Sequence, residues 1–481
     1  MRRFLFMALG ASVAACPDSG SSGSPSSPSS RGDGGAPTSA IARISAPSEG
    51  AFGMPLVLDG SASSPAGVSF SWRLLEAPDG SHAFETEGGQ QARLTPMGLG
   101  TFVVELTVAA GSLSDSTRAS IDVGCGSPVV PEPLMPGGSL ALTDRAPSGC
   151  PDYAFPDGFL IPAGATFEVG PAVEIVMGAG TTLTSTRASV QLVGDRARGP
   201  VLVRGMEERP GTWRGLRLSD AVVAQLRDVE LRHAGSRGVV ISVERASTLQ
   251  MRRVAILESR GVGMRLARES EMVDYGENTF GADLEAPVEL PLTRLPQLAS
   301  AVDTHLGTAP YRARGDFLAR PMTLPRSSVP YRFVGEDGSA RIRLFADLRV
   351  ESGAVLEVEP AFGLEFALGR FEFAGTSEAK VELRGADGAR WPGILVSSGG
   401  TAVFEHVDLR GGGGTGEGFD PAPPAALTVL TSTTATTTPS SAELRNVSVE
   451  APSGQAVWGD ERSRVDCDSV ATPGSTSPGC P

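Results

Sequence analysis

The chain has 481 residues, of which 40% are apolar, 60 are glycine and 37 are proline. This length suffices for about two or three domains, and the many turn residues with few aromatics favour an all-β fold over helical packing. The formal net charge of −14 argues against a nucleic-acid partner, and four histidines without close spacing argue against a histidine-based metal centre.

Residues 1–15 have the features of an export signal. A basic segment, MRR, precedes the apolar run FLFMALGASV, which is too short to span a bilayer stably. The run VAAC resembles the lipobox of bacterial lipoprotein signal peptides. The resemblance implies that Cys16 receives a diacylglyceryl group and becomes the N-terminus, so that the membrane is a partner through this lipid. Pro17 in place of Asp favours the outer membrane, and ordinary secretion with a free Cys16 is the alternative.

A flexible tether is predicted after the signal, within residues 16–40. The segment is rich in Ser, Gly and Pro, and residues 17–40 contain no aromatic or large aliphatic side chain. Such a composition cannot bury a core, so the tether is expected to hold the folded part away from the membrane.

Residues 41–124 consist of short alternating runs, such as VSFSWRLL and GTFVVELTVAA, between turn residues. These runs predict the strands of a small sandwich with Trp72 in its core. The order LDGSAS…FSWRLLEAPDGS…LTPMGLGTFVVELTV resembles the PKD-like extracellular module family, which implies an immunoglobulin-like spacer or weak binder. The segment departs from the family in lacking a WDFGDG-type turn and in having Phe102 where Tyr is usual.

Four cysteines remain besides Cys16, namely Cys125, Cys150, Cys467 and Cys480. An even number in an exported chain predicts disulfide bonds, for which three pairings are possible. We expect sequence neighbours to pair, one bridge lying in a connector at 125–155 and the other in a C-terminal tail at 466–481. The absence of close C-x-x-C pairs argues against a metal site built from these thiols.

Residues 156–465 contain three repeated phrases. GATFEVGPAVEIVMGAG from Gly164 returns as GAVLEVEPAFGLEFALG from Gly353, and WRGLRL from Trp213 returns as WPGILV from Trp391. The pattern apolar-x-x-Val-x-apolar occurs four times, in LRDVEL, MRRVAI, FEHVDL and LRNVSV, and its first two copies are 25 residues apart. Such a period indicates a β-solenoid, and the two polar residues inside each hexamer are expected at an outward corner between short inward-packed strands.

The W-x-G phrases WRGLRL and WPGILV, together with IPAGATFEV, YGENTFGADLEAPVELP (275–291) and VPYRFVGEDG (329–338), resemble the rungs linking repeats in right-handed parallel β-helix lipoproteins of bacteria. The resemblance implies a right-handed coil of about 13 turns, about 60–65 Å long at the usual strand spacing. The predicted fold class is therefore all-β, a PKD/Ig-like sandwich followed by a right-handed parallel β-helix.

The best candidate for a catalytic cluster is SEMVDYGE, which contains Glu271, Asp274 and Glu277 and follows Arg268. Carboxylates that converge from adjacent rungs would be needed for lyase or hydrolase chemistry. A solvated charged corner is the simpler interpretation of this cluster, so no catalytic residue is predicted.

Other residues that could bear chemistry have structural interpretations. His233 and His406 are candidate general bases, but His406 occupies the corner position that Asp228 occupies in another copy, so a turn role explains it. Trp213 and Trp391 stand in equivalent phrases, which favours packing over sugar stacking. The run GGGGTGEGFDPAPPA (411–425) lacks the Asp and the second copy that a calcium roll needs. No cofactor-binding or metal-ligating residue is predicted.

The predicted function is that of a monomeric, lipid-anchored envelope lipoprotein that acts as a non-catalytic surface scaffold or binding protein. A cell-surface glycan or an envelope protein is the expected partner. The alternative is a polysaccharide-active β-helix enzyme, either a lyase or a glycoside hydrolase.

Overall fold

The computed structural model describes residues 39–472 except 79–80, 88, 299–301, 316, 336–338, 414–424, 432–437 and 451–454. The predicted export signal, Cys16, most of the tether and Cys480 lie outside this range. In the described part of the chain, helix is limited to two 3₁₀ segments, Leu292–Gln297 and Ala386–Gly388, and no helix is long and apolar enough to cross a membrane.

The first seven strands form two sheets that share one apolar core. Strands β1, β7, β6 and β3 form one sheet, in which only the β1–β7 pairing is parallel, and β2, β5 and β4 form an antiparallel sheet. The strands are β1 (Glu49–Ala51), β2 (Leu56–Asp59), β3 (Ser69–Glu76), β4 (Ser81–Glu87), β5 (Gln91–Met97), β6 (Gly100–Ala110) and β7 (Leu113–Gly124).

Alternation of apolar and polar residues explains this core. In β6, every second side chain from Phe102 to Val108 is buried, as expected for a strand with one face on a core. Leu58 and Leu94 of the other sheet belong to the same buried cluster. Trp72 is 8% exposed and its indole N–H donates to the carbonyl oxygen of Gly89 at 2.9 Å, so its predicted place in the core is confirmed.

The rest of the described chain forms long parallel sheets of 17, 11 and six strands, the arrangement of a β-solenoid. The first section contains β8 (Ser139–Leu142), β9 (Tyr153–Phe155), β10 (Phe159–Ile161), β11 (Thr166–Val169), β12 (Glu174–Met177), β13 (Thr182–Thr186), β14 (Ser189–Val193), β15 (Val201–Gly205), β16 (Gly215–Ser219), β17 (Val223–Arg232), β18 (Val239–Val243), β19 (Thr248–Leu257), β20 (Gly261–Leu266), β21 (Glu271–Gly276), β22 (Thr279–Phe280), β23 (Leu284–Pro291), β24 (Thr304–His305) and β25 (Tyr311–Arg314).

The second section contains β26 (Phe317–Leu318), β27 (Met322–Leu324), β28 (Tyr331–Val334), β29 (Arg341–Leu344), β30 (Leu348–Glu351), β31 (Val355–Val358), β32 (Gly363–Ala367), β33 (Arg370–Ala374), β34 (Val381–Gly385), β35 (Ile394–Ser397), β36 (Thr401–Glu405), β37 (Val407–Arg410), β38 (Ala425–Val429), β39 (Ser441–Glu450), β40 (Gln455–Gly459) and β41 (Arg464–Ala471). One buried apolar cluster extends through both sections, from Leu142 to Val457.

The predicted corners are confirmed in all four hexamers. Asp228, Arg253, His406 and Asn446 have φ values of 52°, 54°, 48° and 55°. A single residue in this left-handed conformation turns the chain between two inward-packed half-strands, and polar residues tolerate it better than β-branched ones.

A glycine packs against the corner in each section. A Cβ atom added to Gly194 would lie 2.2 Å from the carbonyl oxygen of Asp228, and one added to Gly375 would lie 2.2 Å from that of His406. Only glycine allows the backbones to approach this closely. The two sections therefore repeat the same contact as well as the same phrases.

The second section is shifted by one face relative to the first, which the sequence repeats did not reveal. WRGLRL forms β16 in the 17-stranded sheet, whereas the equivalent WPGILV forms β35 in the six-stranded sheet. Likewise β11 lies in the 11-stranded sheet and its equivalent β31 in the 17-stranded one. The shift occurs at the junction between the sections, where β25 pairs with both β23 and β28.

The parallel sheets extend beyond the predicted range 156–465. Strands β8 and β9, inside the predicted connector, pair with β11 and β12, and β41 continues to Ala471. The predicted Cys125–Cys150 disulfide is confirmed, with the two Cα atoms 5.5 Å apart. Cys467 lies on β41, but Cys480 is outside the described residues, so their pairing stays a prediction.

Candidate binding groove

A single column of side chains runs along the 17-stranded sheet, directed away from the core. Twelve rungs at about 4.8 Å spacing give this column a length of about 53 Å. Nine of its members are arginine or glutamate. In order of Cα pairing the members are Leu160, Thr184, Arg217, Ser242, Arg265, Glu289, Arg312, Arg332, Glu357, Arg384, Arg410 and Glu450.

Glu357 is the buried centre of the column, with 5% of its surface exposed. Arg332 on the preceding rung and Arg384 on the following rung each donate to its carboxylate, with N–O distances of 2.8 Å. Arg332 also donates to Asp387 at 2.7 Å. Burial alone would lower the pKa of Arg332, but the hydrogen bonds to Asp387 and Glu357 outweigh it and raise the pKa. The network therefore pairs Glu357 with an arginine on each neighbouring rung.

Glu289 forms a similar centre in the first half of the column. It is 3% exposed, and its carboxylate lies 2.8 Å from Arg265 and 3.3 Å from Arg314. A cavity of about 290 Å³ adjoins it, where the guanidinium of Arg268 lies 5.1 Å from the ring centre of Phe317. Both buried carboxylates of the column are therefore held by arginines.

A groove of about 910 Å³ lies over the second half of the column. Its floor consists of Arg332, Glu357, Arg384 and Arg410 on four successive rungs, and it is also lined by the segments 308–310, 327–330 and 387–390. None of the described residues that line the groove is aromatic. Polar contacts, rather than ring stacking, are what this surface offers a ligand.

One end of the groove contains two exposed arginines, Arg390 and Arg410, with few acceptors among the described residues. Arg410 is 52% exposed and only loosely paired, 3.4 Å from Glu382 and 3.6 Å from Asp408. Arg390 is exposed and makes neither an ion pair nor a side-chain hydrogen bond with any described residue. These two guanidinium groups place available N–H donors at one end of the groove.

The acidic cluster considered for catalysis is divided in the structure. Asp274 and Glu277 both pair with Arg252, whereas Glu271 lies 3.5 Å from Arg294 and Arg268 belongs to the cavity beside Glu289. The hydrogen bond from Arg252 lowers the pKa of Glu277. A catalytic general acid requires a raised pKa, so the environment of Glu277 does not favour that role.

A polar network next to this cluster was not predicted. The hydroxyl groups of Tyr275 and Tyr311 donate to Asp303 at 2.6 and 3.2 Å, and Nε2 of His305 lies 2.8 Å from the Tyr311 hydroxyl. Burial is the main reason that the pKa of each tyrosine is raised. The network lies at the junction of the two sections, where the sequence has no repeat that could have indicated it.

His305 should make the free energy of unfolding depend on pH below about 6.5. Burial lowers its pKa below the ordinary value of 6.5, an effect that Asp303 partly opposes. The folded chain therefore favours the neutral form of His305. The stabilisation that neutral His305 gives the folded chain is complete above pH 6.5 and is lost as pH falls towards the lowered pKa. We expect denaturant unfolding to show reduced stability at mildly acid pH, and His305→Phe to lose this dependence.

His82 provides the control, because it is exposed on β4. His82→Gln should lose stability at mildly acid pH to the same extent as the parent chain. The same loss in the His305→Phe variant would contradict the assignment.

The other residues singled out in the sequence have packing or turn roles. Trp213 and Trp391 are fully buried, and their indole N–H groups donate to the carbonyl oxygens of Arg232 and Arg410 at 2.8 and 2.9 Å. Their predicted packing role is confirmed. His406 occupies a corner, as predicted, and buried His233 lies 2.9 Å from Glu258. Of the Gly-rich run 411–425, residues 414–424 lie outside the described residues.

The column was not predicted, although the spacing of its charged residues in the sequence indicates it. Arg332, Glu357, Arg384 and Arg410 follow one another at intervals of 25, 27 and 26 residues, which is close to the solenoid period. A search for charged residues at that period would have placed them in one column.

Comparisons with known proteins add no family to these observations. No protein-family model matches the sequence, and no curated protein is detectably similar to it. In the part of the chain that the structure covers, no three His, Cys, Asp or Glu side chains are grouped so that they could hold a metal ion.

Proposed function

We propose that the chain is a lipid-anchored lipoprotein of the bacterial cell envelope, held in the outer membrane by Cys16. In this proposal the two-sheet unit is a PKD/Ig-like spacer and the parallel sheets form a right-handed β-helix that displays the binding surface. The lipobox-like VAAC and the tether composition support the anchor. The shared core of the two sheets and the stacked parallel strands support the architecture.

The proposed activity of the displayed surface is binding without catalysis. The observation that carries this proposal is the column of charged side chains with a groove over its second half. Its buried carboxylates, Glu289 and Glu357, are held by arginines on neighbouring rungs, which fixes their positions. A rigid, patterned polar surface of this kind suits recognition of an extended ligand.

Lipidation at Cys16 can be tested directly. We expect Cys16→Ala to abolish incorporation of a fatty-acid analogue and to leave an uncleaved precursor, because the thiol is the acceptor of the diacylglyceryl group. Metabolic labelling followed by gel electrophoresis measures both effects. Cys125→Ala is the matched control, since Cys125 is bonded to Cys150 and its loss should leave labelling intact. Persistent labelling of the Cys16→Ala chain would contradict the anchor.

A further inference from the structure

The end of the groove that contains Arg390 and Arg410 has donors without strong acceptors. The Arg384 guanidinium is committed to Glu357 and Glu382, and Arg332 to Glu357 and Asp387. By contrast, Arg410 has ion-pair contacts of 3.4 and 3.6 Å only, and Arg390 makes no contact of this kind within the described residues. A planar guanidinium with free N–H groups binds carboxylates through paired, charge-assisted hydrogen bonds.

The rest of the groove offers acceptors. The Asp387 side chain is 80% exposed, and the exposed Glu450 makes no ion pair with a described residue. A ligand that fits this pattern must therefore carry hydroxyl donors along its length as well as occasional anionic groups. The absence of aromatic side chains among the described lining residues removes the stacking platform that neutral sugars use.

From these features we infer that the groove binds a linear glycan whose sugars carry carboxylate groups. A carboxylate of the glycan lies against Arg390 and Arg410, and its hydroxyl groups donate to Asp387 and Glu450. The inference rests on the proposed binding function and specifies its ligand. Nucleic acid fits less well, because the groove contains as many acidic as basic side chains and the chain has a net charge of −14.

The length of the site also favours a polymer over a single sugar. Arg332 and Glu450 are separated by four rung intervals, which corresponds to about 19 Å at the usual strand spacing. One rung interval is comparable to the length of one hexose unit, so side chains on successive rungs can contact successive sugars.

The experiment uses the full chain purified in detergent and isothermal titration calorimetry. The probes are an oligogalacturonate, a malto-oligosaccharide of equal length and inorganic polyphosphate. We expect the oligogalacturonate to bind, the neutral oligosaccharide to bind at least about tenfold more weakly, and Arg390→Gln or Arg410→Gln to weaken oligogalacturonate binding by about tenfold each. Binding should also weaken with added salt.

Arg349→Gln is the matched control variant. Arg349 is 54% exposed, close to the 52% of Arg410, but it lies on β30, outside the groove. It should bind the oligogalacturonate as the parent chain does, and circular dichroism should show all three variants folded. Equal binding of polyphosphate, or unchanged binding by the Arg390 and Arg410 variants, would overturn the ligand assignment.

The proposed function and the ligand assignment fail in different ways. A chain that is lipidated at Cys16 but binds none of the probes refutes the carboxylated glycan and leaves the anchor standing. Release of shortened products from the oligogalacturonate would confirm the ligand class and refute binding without catalysis, in favour of the lyase or hydrolase alternative.

Discussion

Replacing Glu357 with alanine is expected to destabilise the folded chain by about 3–5 kcal/mol, because it removes one partner of a buried ion pair. Arg332 is only 14% exposed and would keep only Asp387, which is 80% exposed, while Arg384, at 35% exposed, would lose its closest acceptor. The loss should be measured by urea unfolding and by amide hydrogen exchange in β28, β31 and β34, which contain the three residues.

Two further variants separate burial from charge pairing. Glu372→Ala removes a glutamate from β33, where the pair with Arg349 is 32% and 54% exposed, and should cost no more than about 1 kcal/mol. Arg332→Met combined with Glu357→Met should recover much of the loss, because an apolar pair avoids the unpaired buried charge. Equal effects of Glu357→Ala and Glu372→Ala would contradict the central place of Glu357 in the network.

The repeated phrases made the parallel sheets predictable because the signals involved are local. A polar residue at a left-handed corner between two inward-packed half-strands produces the same six-residue pattern wherever it occurs, as at Asp228 and His406. The one-face shift between the sections was not predictable from the phrases, since each strand pattern suits any face of the coil. It depends on the junction near the 3₁₀ segment Leu292–Gln297, where no repeat exists.

The groove was only partly predictable for a related reason. Its floor follows the solenoid period, as the spacing of Arg332, Glu357 and Arg384 shows. Its lining also includes the segments 308–310 and 327–330, which belong to the junction and have no counterpart in the repeats. The acidic residues at 271–277 are neighbours in the sequence, but in the structure Asp274 and Glu277 pair with Arg252, whereas Glu271 lies near Arg294.

Phe373→Ala is expected to cost about 3–5 kcal/mol, because it opens a cavity in the core of the second section. The ring of Phe373 is fully buried and stacks on Phe404 of the next rung, with centroids 4.9 Å apart and an interplanar angle of 10°. It also lies 5.7 Å from Phe366, which itself stacks on Phe371 at 4.5 Å. Removing the central ring therefore breaks a stack that connects rungs as well as leaving apolar volume unfilled.

Phe345→Ala is the matched control, since Phe345 is 41% exposed and its truncation should cost under about 1 kcal/mol. Phe373→Leu should fall between the two, because it restores part of the volume without the ring stacking. Since each rung of a solenoid is stabilised mainly by its neighbours, Phe373→Ala should increase amide exchange most in β33 and β36 and least in β11 and β14. Uniform acceleration across both sections would show instead that the coil unfolds as one cooperative unit, and parent-like stability would show that the stack contributes little to the core.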